Sequence, residues 1–369
     1  MKVLFLTHTL GGGGAERVLV NLVNHMDKSK YDITVKTLFG GGVNAERLDK
    51  TITYHCGHFR SFKGISRVLS VIPPSLLYRH YVGNEQYDMV IAYMHGLPTH
   101  IVLGAPKGAK KISWLHCGSM EDTSMFHSFV NMKSAIRSLR KLDAIVCVAK
   151  QAQREFSRVT GLTENVFTRY NTNETAEILE KSKKEISIQL PEGRIICSVG
   201  RFTQEKGFER LVRISKRLNE EGFSHTLLLI GGGQLLNSLK EQTTVSGYDK
   251  VIFAGFQSNP YAYMTRADMF VCSSYFEGLS TATTEALILG LPCVSTNVSG
   301  AREILGENNE YGFVVENSEE GLYEGIKQMY QSIEDGSFDR TKSAVQAEKF
   351  SVHATVEKVE ELLDSIMEK

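Results

Sequence analysis

The chain has 369 residues, a length that exceeds one ordinary hydrophobic core and predicts two domains. Hydrophobic residues make up 42% and charged residues 23%, as in a soluble globular protein, and no apolar run is long enough to cross a bilayer. The net charge is zero, but residues 1–172 hold 22 Lys and Arg against 12 Asp and Glu, and the rest of the chain has the opposite imbalance. The first residues turn polar too soon for a signal peptide, so we expect a cytoplasmic protein with no nucleic-acid partner.

The six cysteines occur singly, with no Cys-x-x-Cys pair, which excludes a zinc knuckle and a disulfide framework. We expect no metal and no other cofactor. Most of the cysteines lie in apolar runs, where a reduced thiol behaves as a small hydrophobic group.

Apolar strands and helical patterns alternate along both halves of the chain. The predicted strands are Val3–Thr7, Ile33–Leu38, Met89–Tyr93, Lys111–Leu115, Ala144–Val148, Ile195–Val199, Thr226–Ile230, Val251–Ala254, Met269–Cys272 and Cys293–Ser295. The predicted helices are Ala15–His25, Phe126–Leu142, Phe208–Leu218, Leu235–Thr243, Thr281–Leu289 and a C-terminal helix within Val352–Met367.

Continuously apolar strands separated by helices are typical of parallel sheets that are covered on both faces. Two such sets predict an α/β protein of two Rossmann-like, doubly wound domains. We place the first domain at residues 1–172, the second at 173–350, and a C-terminal helix at 351–369.

Two glutamates frame the most informative turn of the chain, between the strand Met269–Cys272 and the following helix. Glu277 lies in the loop, Glu285 lies more than one turn into the helix, and Ser280 between them is suited to cap the helix. Backbone N–H groups at a helix start lack intrahelical partners and attract phosphate. The two carboxylates could accept hydrogen bonds from hydroxyl groups on either side of this anion site. Such an arrangement suits a ligand that is part sugar and part phosphate. The alternative is that both are surface glutamates near a helix start.

Glycine-rich or basic loops follow four further strands. Gly11–Gly14 opens the first helix, and Gly13 and Gly14 would let a backbone approach a phosphate, although the pattern is not Gly-x-Gly-x-x-Gly. Arg201 and Lys206 lie at the two ends of the loop after Ile195–Val199. The planar guanidinium of an arginine and the compact ammonium of a lysine, close together, suit a diphosphate. Gly231-Gly232-Gly233 and Gly255-Phe256 end the next two strands, where they either seat a nucleobase or form ordinary turns.

His116 ends the strand Lys111–Leu115, at the edge where ligands of parallel sheets bind. Its imidazole could hydrogen-bond a sugar hydroxyl or help to stabilise developing charge. The alternative is a structural histidine, which is the commoner role of a single histidine.

Two basic stretches lack acidic residues. The first runs over Arg60–Arg79 and the second over Lys133–Lys141, and each mixes Lys and Arg with apolar residues. Basic amphipathic segments of this kind can lie on an anionic membrane surface. The alternative is a core-facing stripe with a solvated back.

These motifs, in this order and over almost the whole chain, resemble the retaining GT-B glycosyltransferases of family 4 that build bacterial capsule and cell-envelope polysaccharides. The matching residues are Gly13-Gly14-Ala15-Glu16-Arg17, Trp114-Leu115-His116, Arg201 with Glu205-Lys206-Gly207, the Gly231–Gly233 turn, and Glu277 with Glu285 eight positions later. The hinge Tyr170-Asn171-Thr172-Asn173 departs from the usual family pattern.

The resemblance implies a metal-independent glycosyltransferase that moves a sugar from a nucleotide-sugar, with UDP-sugars first, to a glycan or polyprenyl-linked acceptor with retention of configuration. The two domains would face each other across a cleft, and the C-terminal helix would pack back toward the first domain. The basic stretches, for their part, lead us to expect a cytoplasmic protein that can lie peripherally on the inner face of the plasma membrane. The implied catalytic residues are His116, Arg201, Lys206 and Glu277. The implied donor-binding residues are Gly13, Gly14, Gly231, Gly232, Phe256, Gly278, Leu279, Ser280 and Glu285.

Two other classes of protein remain open. A nucleotide-sugar epimerase uses the same fold, although no carboxylate–histidine set is placed here for removal of a ring proton. A non-enzymatic membrane-associated scaffold would leave the Glu277/Glu285 and Arg201/Lys206 patterns unexplained. A nicotinamide oxidoreductase is disfavoured because the dinucleotide fingerprint fails.

Overall fold

A computed structural model of the chain describes residues 1–57, 64–116, 126 and 128–369, with the side chain of Ser66 left out. Two compact units make up this part of the chain: Met1–Thr172 with Val352–Lys369, and Asn173–Ser351. Within the described residues, no helix has both the length and the apolar character that a membrane crossing requires.

Each unit contains one sheet, and all of its strand pairs are parallel. The strands of the first unit are β1 (Lys2–Thr7), β2 (Asp32–Thr37), β3 (Thr53–His55), β4 (Met89–Ala92), β5 (Lys110–Leu115), β6 (Ala144–Cys147) and β7 (Val166–Thr168). Those of the second are β8 (Ile195–Val199), β9 (Thr226–Ile230), β10 (Val251–Gly255), β11 (Met269–Cys272), β12 (Cys293–Thr296) and β13 (Phe313–Val315).

Helices cover the sheets of both units. In the first unit, residues 1–172 contain α1 (Gly14–His25), α2 (Ile65–Leu69), α3 (Pro74–Tyr81), α4 (Leu97–Val102), α5 (Met132–Leu139) and α6 (Lys150–Thr160). The second unit contains α7 (Thr175–Ser182), α8 (Phe208–Glu220), α9 (Leu236–Val245), α10 (Tyr261–Met264), α11 (Thr281–Ile288), α12 (Ala301–Leu305), α13 (Glu319–Glu334) and α14 (Thr341–Ala347), and α15 (Val352–Met367) belongs to the first unit.

The strand order fixes where a ligand can bind. It is β3-β2-β1-β4-β5-β6-β7 in the first sheet and β10-β9-β8-β11-β12-β13 in the second. The direction of winding therefore reverses between β1 and β4, and again between β8 and β11. Ligands of open parallel sheets bind at the carboxyl ends of the strands at such a switch point. Two doubly wound parallel-sheet units confirm the predicted α/β fold class.

The hydrophobic cores explain why the apolar strands could be predicted from the sequence. Both faces of the central strands are buried, so Val90 in β4 and Val271 in β11 are fully covered. In the second unit the core joins strand residues such as Leu229 to the inner faces of α8 and α13. In the first unit it joins β1 and β4 to α3 and α4.

All ten predicted strands are present within one or two residues, whereas the short edge strands β3, β7 and β13 were not predicted. The helix predicted over Phe126–Leu142 is wrong at its start, because α5 begins at Met132. Asn131 has an extended backbone and its side chain accepts a hydrogen bond from Ser134 N at 2.9 Å, which caps the helix there. Phe126 and Phe129 are instead buried ahead of the helix.

Candidate active site

The carboxyl ends of β8 and β11 hold the most closely connected of the predicted site residues. Lys206, at the end of a short 3-10 turn after β8, donates from Nζ to Glu277 Oε1 at 2.6 Å. The two side chains are only 20% and 12% exposed, so this ion pair is largely shielded from water. Burial opposes the charge of Lys206, but the Glu277 carboxylate outweighs it and raises the lysine pKa above its ordinary value. The pair lies at the switch point of the second sheet.

Further hydrogen bonds tie the turn after β11 to the loop after β8. Ser274 Oγ donates to Glu277 Oε1 at 2.6 Å, so one carboxylate oxygen accepts from both a cation and a hydroxyl. Ser273 Oγ donates to the Lys206 carbonyl at 2.8 Å, and Tyr275 N donates to the Glu205 carbonyl at 2.8 Å. The position of Glu277 is therefore set by backbone contacts as well as by the ion pair.

Arg201 lies in the same loop and is exposed. Its positive charge is close enough to Lys206 to work against the protonated lysine. An anion at this edge would relieve the repulsion between these two cations. Lys206 is already engaged by Glu277, so Arg201 is the more accessible of the two charges predicted to hold a diphosphate.

The start of α11 has the geometry expected from its sequence. Ser280 is the N-cap: it has an extended backbone, and its Oγ accepts from Thr283 N at 3.2 Å. Leu279 and Ser280 are buried, whereas Gly278 is partly exposed. Glu285 lies in the second turn of α11 and is 2% exposed, with Tyr261 Oη 3.5 Å from its Oε1.

The glycines after β9 face the neighbouring loop. Gly231 has φ 142°, and a Cβ on it would lie 1.9 Å from the Gly200 carbonyl oxygen. Gly233 has φ 151° and approaches the backbone of Phe202 in the same way. Any side chain at these two positions would therefore force apart the loops after β8 and β9. Their glycines are explained by this packing, whatever ligand the loop also binds.

Phe256 follows β10 and is 64% exposed, which is unusual for a large aromatic side chain. A Cβ on Gly232 would lie 3.7 Å from the Phe256 Cβ, so Phe256 lies beside the glycine turn. An exposed aromatic side chain next to an exposed backbone turn is a suitable platform for a nucleobase.

In the first unit, Gly13 is the N-cap of α1, and both Gly13 and Gly14 are partly exposed. The Glu16 carboxylate lies over Gly13, where a Cβ would come 2.2 Å from its Oε2. Two backbone hydrogen bonds join this loop to the loop after β2. Leu10 N donates to the Gly41 carbonyl at 3.1 Å, and Asn44 N donates to the Leu10 carbonyl at 3.0 Å. The nearest atoms all belong to the flexible end of the Glu16 side chain, and Gly13 has an ordinary φ of -80°, so packing alone does not require glycine at position 13.

His116 follows β5, and its ring packs on Tyr93 with 4.9 Å between centroids. Burial, together with the nearby His95, lowers the pKa of His116 to about 3, although the imidazole donates a hydrogen bond to the Tyr93 backbone carbonyl. The same two causes lower the pKa of His8, after β1, to about 4. The Nε2 atom of His116 is buried without a hydrogen-bond partner, although the residue as a whole is partly exposed. Both imidazoles are neutral at physiological pH.

Several residues of the site were not predicted. Ser274, which donates to Glu277, and Tyr261, which approaches Glu285, belong to no motif recognised in the sequence. Only the structure reveals them, by placing Ser274 beside Glu277 and Tyr261 beside Glu285. Among the described residues, no group of three or more His, Cys, Asp or Glu is arranged to hold a metal ion.

Comparisons with known proteins identify the family. The model of glycosyltransferase family 4 matches residues 12–173, and the model of glycosyl transferases group 1 matches residues 180–340. A Campylobacter jejuni relative, N-acetylgalactosamine-N,N'-diacetylbacillosaminyl-diphospho-undecaprenol 4-alpha-N-acetylgalactosaminyltransferase, is 26% identical over 361 residues, with 95% of each chain covered. The lipopolysaccharide core biosynthesis glycosyltransferase LpsE of Rhizobium meliloti is 26% identical over 320 residues, which cover 86% of this chain and 85% of LpsE.

Solved structures share the fold at lower identity. Anabaena Alr3699/HepE, in complex with UDP and glucose, superposes with a TM-score of 0.75 at 19% identity, covering 99% of this chain and 100% of that one. Sucrose-phosphate synthase from Thermosynechococcus elongatus gives 0.79 at 15% identity, with 99% of each chain covered. With its two parallel-sheet units and the two family models matched in succession, the chain belongs to glycosyltransferase family 4 and has the GT-B fold.

Proposed function

We propose that this chain transfers a sugar from a UDP-sugar to a glycan or polyprenyl-linked acceptor, with retention of configuration, in the synthesis of capsular or other cell-envelope polysaccharide. The names of the relatives support this proposal: one acts on a diphospho-undecaprenol-linked sugar and another in lipopolysaccharide core synthesis. The complex of Anabaena Alr3699/HepE with UDP and glucose supports a uridine donor.

The observation that carries the proposal is the meeting of Lys206 and Glu277 at the switch point of the second sheet. The two residues come from different loops and share a shielded ion pair. Arg201, from the same edge, adds an accessible positive charge. Binding a diphosphate here would neutralise the two cations, and Glu277 would remain to accept a hydrogen bond from a hydroxyl of the donor sugar.

The remaining roles follow the order of the donor's chemical groups. Glu285 accepts from the ribose hydroxyls, Phe256 stacks on the base beside Gly231 and Gly232, and the start of α11 contributes amides. In the first unit, we assign a phosphate contact to Gly13 and Gly14 and a sugar contact to His116. The N-cap Ser280 and the buried Leu279 hold the start of α11 in place.

The leaving diphosphate is the group that needs stabilisation as the glycosidic bond breaks. Arg201, Lys206 and the α11 amides would supply fixed positive charge to it, which makes a divalent cation unnecessary. A front-face route, in which the leaving diphosphate accepts the acceptor's proton, would give retention without an enzymatic nucleophile.

A turnover assay tests the function directly. The enzyme is incubated with single UDP-sugars, with and without a polyprenyl-diphosphate-linked sugar acceptor, and nucleotide release is followed together with the NMR coupling constant of the new linkage. We expect UDP release that depends on the acceptor, and a product of the donor's anomeric configuration. Conversion of the UDP-sugar without acceptor would identify an epimerase, and an inverted product would contradict retention.

We also propose that the basic face of the first unit contacts an anionic membrane surface that carries the acceptor. Arg67 and Arg79 are exposed beside Val68, Val71 and Leu76, which are 58%, 74% and 48% exposed. Arg60 and Lys63 of the same stretch lie outside the described residues. Exposed apolar side chains among cations suit the interface of an anionic bilayer.

The second basic stretch has the same pattern on and around α5. Lys133, Arg137, Arg140 and Lys141 are exposed along and after α5, and Val130 just before it is 70% exposed. Of the predicted apolar stripe, Phe126, Phe129 and Leu139 are buried and serve the core, whereas Met132 is 39% exposed. Flotation with phosphatidylglycerol vesicles should recover the protein, and Lys133→Glu with Arg137→Glu should release it. Equal recovery with neutral vesicles would contradict an electrostatic contact.

A further inference from the structure

Arg210 is a buried cation that the proposed reaction does not use. It lies in the first turn of α8 and is 2% exposed. Charged side chains are seldom buried to this degree without an ion pair. The hydrogen bonds described for Arg210 all go to neutral oxygens, and its guanidinium lies 3.8 Å from the centroid of the Tyr275 ring.

Those oxygens belong to the turn that carries Glu277. Arg210 Nε and Nη2 both donate to the Ser273 carbonyl, at 2.9 and 2.6 Å, and Nη2 also donates to the Ser274 carbonyl at 2.9 Å. A further bond of 2.8 Å reaches Asn317 Oδ1, and Asn317 in turn donates to the Tyr275 carbonyl. One guanidinium therefore holds two successive carbonyls of the turn toward the protein interior.

The turn held in this way is the one that sets the carboxylate of Glu277. Ser274 Oγ donates to Glu277 Oε1, and Ser273 Oγ donates to the carbonyl of Lys206. Gly207 has φ 63°, and a Cβ on it would lie 2.3 Å from the Ser273 carbonyl oxygen. Glycine at this position therefore allows the two loops to pack closely. The contacts run in one chain from Arg210 through Ser273 and Ser274 to the Lys206–Glu277 pair.

We propose that Arg210 is a positioning residue of the transfer reaction: through the Ser273 and Ser274 carbonyls it holds Glu277 on Lys206 in the geometry that the donor requires. The inference rests on the proposed function for its link to turnover, while the placement of Glu277 stands on the contacts alone. The paired hydrogen bonds to the Ser273 carbonyl need the planar guanidinium, with its two adjacent N–H donors. A lysine at position 210 would carry the same charge but could not make both bonds.

The test compares Arg210→Lys and Ser274→Ala with the control Arg213→Lys, an exposed arginine of the same helix that pairs with Glu319. In the first two variants we expect kcat to fall at least about tenfold, the effect of losing a hydrogen bond to a charged group. The KM for the donor and the Kd for UDP should stay within about threefold. The two substitutions should be non-additive when combined, because they act on one contact chain.

A second readout does not depend on catalysis. The pKa of Lys206 is measured by NMR on protein with ¹³C-dimethylated lysines, and its signal is assigned with Lys206→Arg. We expect that pKa to fall by about 1 in Arg210→Lys and in Ser274→Ala, since Glu277 is no longer held on the ammonium. It should be unchanged in Arg213→Lys.

The outcomes separate this inference from the proposed function. If the wild-type protein transfers no sugar, the proposed function fails, and the pKa of Lys206 still decides whether Arg210 positions Glu277. If Arg210→Lys does not fold, Asn317→Ala, which removes a side-chain acceptor of Arg210 Nη2, takes its place in both measurements. Wild-type kcat and an unchanged pKa of Lys206 in a folded Arg210→Lys, or equal losses in kcat and in UDP binding, would overturn the positioning role.

Discussion

Lys206 donates to Glu277 across 71 residues of sequence, with Nζ and Oε1 2.6 Å apart. Each residue comes from the loop that follows a switch-point strand of the second sheet, and each is mostly shielded from water. Two residues that the sequence assigns to different parts of the donor, its diphosphate and its sugar, are therefore one electrostatic unit before the donor binds.

This pairing predicts coupled losses of activity. Lys206→Ala and Glu277→Gln should each lower kcat by about 10²–10³, the scale of losing one preorganised charge contact. The double variant should lose much less than the product of the two, because each single change leaves the partner unmatched. Initial rates with saturating donor and acceptor provide the measurement. Independent effects, multiplied in the double variant, would show that the two residues act separately.

Glu285 should control recognition of the ribose. Its carboxylate is buried in α11, and replacement with the isosteric glutamine keeps the packing while removing the charge. We expect Glu285→Gln to weaken UDP binding by about 10–100-fold, as for lost hydrogen bonds to a charged group. The variant should also bind UDP and 2′,3′-dideoxy-UDP with nearly equal affinity, whereas the wild type prefers UDP. A preserved preference in the variant would remove Glu285 from the ribose site.

His116 should make stability depend on pH below neutrality. An unfolded histidine protonates near pH 6.5, whereas folded His116 stays neutral down to about pH 3. The unfolded state therefore binds more protons between these values, and the free energy of unfolding falls as the pH falls. From pH 7 to pH 5 this residue should contribute a loss of about 2 kcal/mol that His116→Gln lacks. Urea denaturation of both proteins at the two pH values measures the difference. Parallel losses would mean that His116 titrates normally when folded.

Transfer should proceed without a divalent metal. The positive charges of Arg201 and Lys206, with the amides at the start of α11, are expected to stabilise the departing diphosphate. The rate in EDTA should equal the rate in buffer alone. The control is a metal-dependent transferase assayed in the same EDTA buffer. Complete loss of activity in EDTA, with rescue by Mn²⁺, would contradict this account.

The elements near the site were predictable because their signals are local. The continuous apolar run Met269–Cys272 predicts a buried parallel strand, and Ser280 predicts the start of the helix after it. The position of α5 was also encoded locally, by Asn131 and Ser134, but the apolar stripe from Phe126 onward hid it. Edge strands of three residues, such as β13, are too short to stand out from loops.

The connections within the site could not be read from the sequence, because they join residues far apart in the chain. The Lys206–Glu277 pair and the contacts of Arg210 with the turn at Ser273 each span more than 60 residues. From the sequence, the Gly231–Gly233 turn could either seat a nucleobase or be an ordinary turn. The structure shows that the conformations of Gly231 and Gly233 are required by close approach to the loop after β8. A motif shows which residues are unusual, and only the fold shows what each of them contacts.

The central claim is that the carboxyl edge of the second sheet binds a uridine diphosphate through Arg201, Lys206, Glu285 and Phe256. Isothermal titration with UDP, GDP and ADP tests it most directly, on the wild type and on Arg201→Ala. The control is Arg213→Ala, which changes an exposed arginine that pairs with Glu319. The account predicts that UDP binds best, that Arg201→Ala weakens it at least about tenfold with a smaller dependence on salt, and that Arg213→Ala does not. No binding of any nucleotide, or equal affinity in Arg201→Ala, would contradict it.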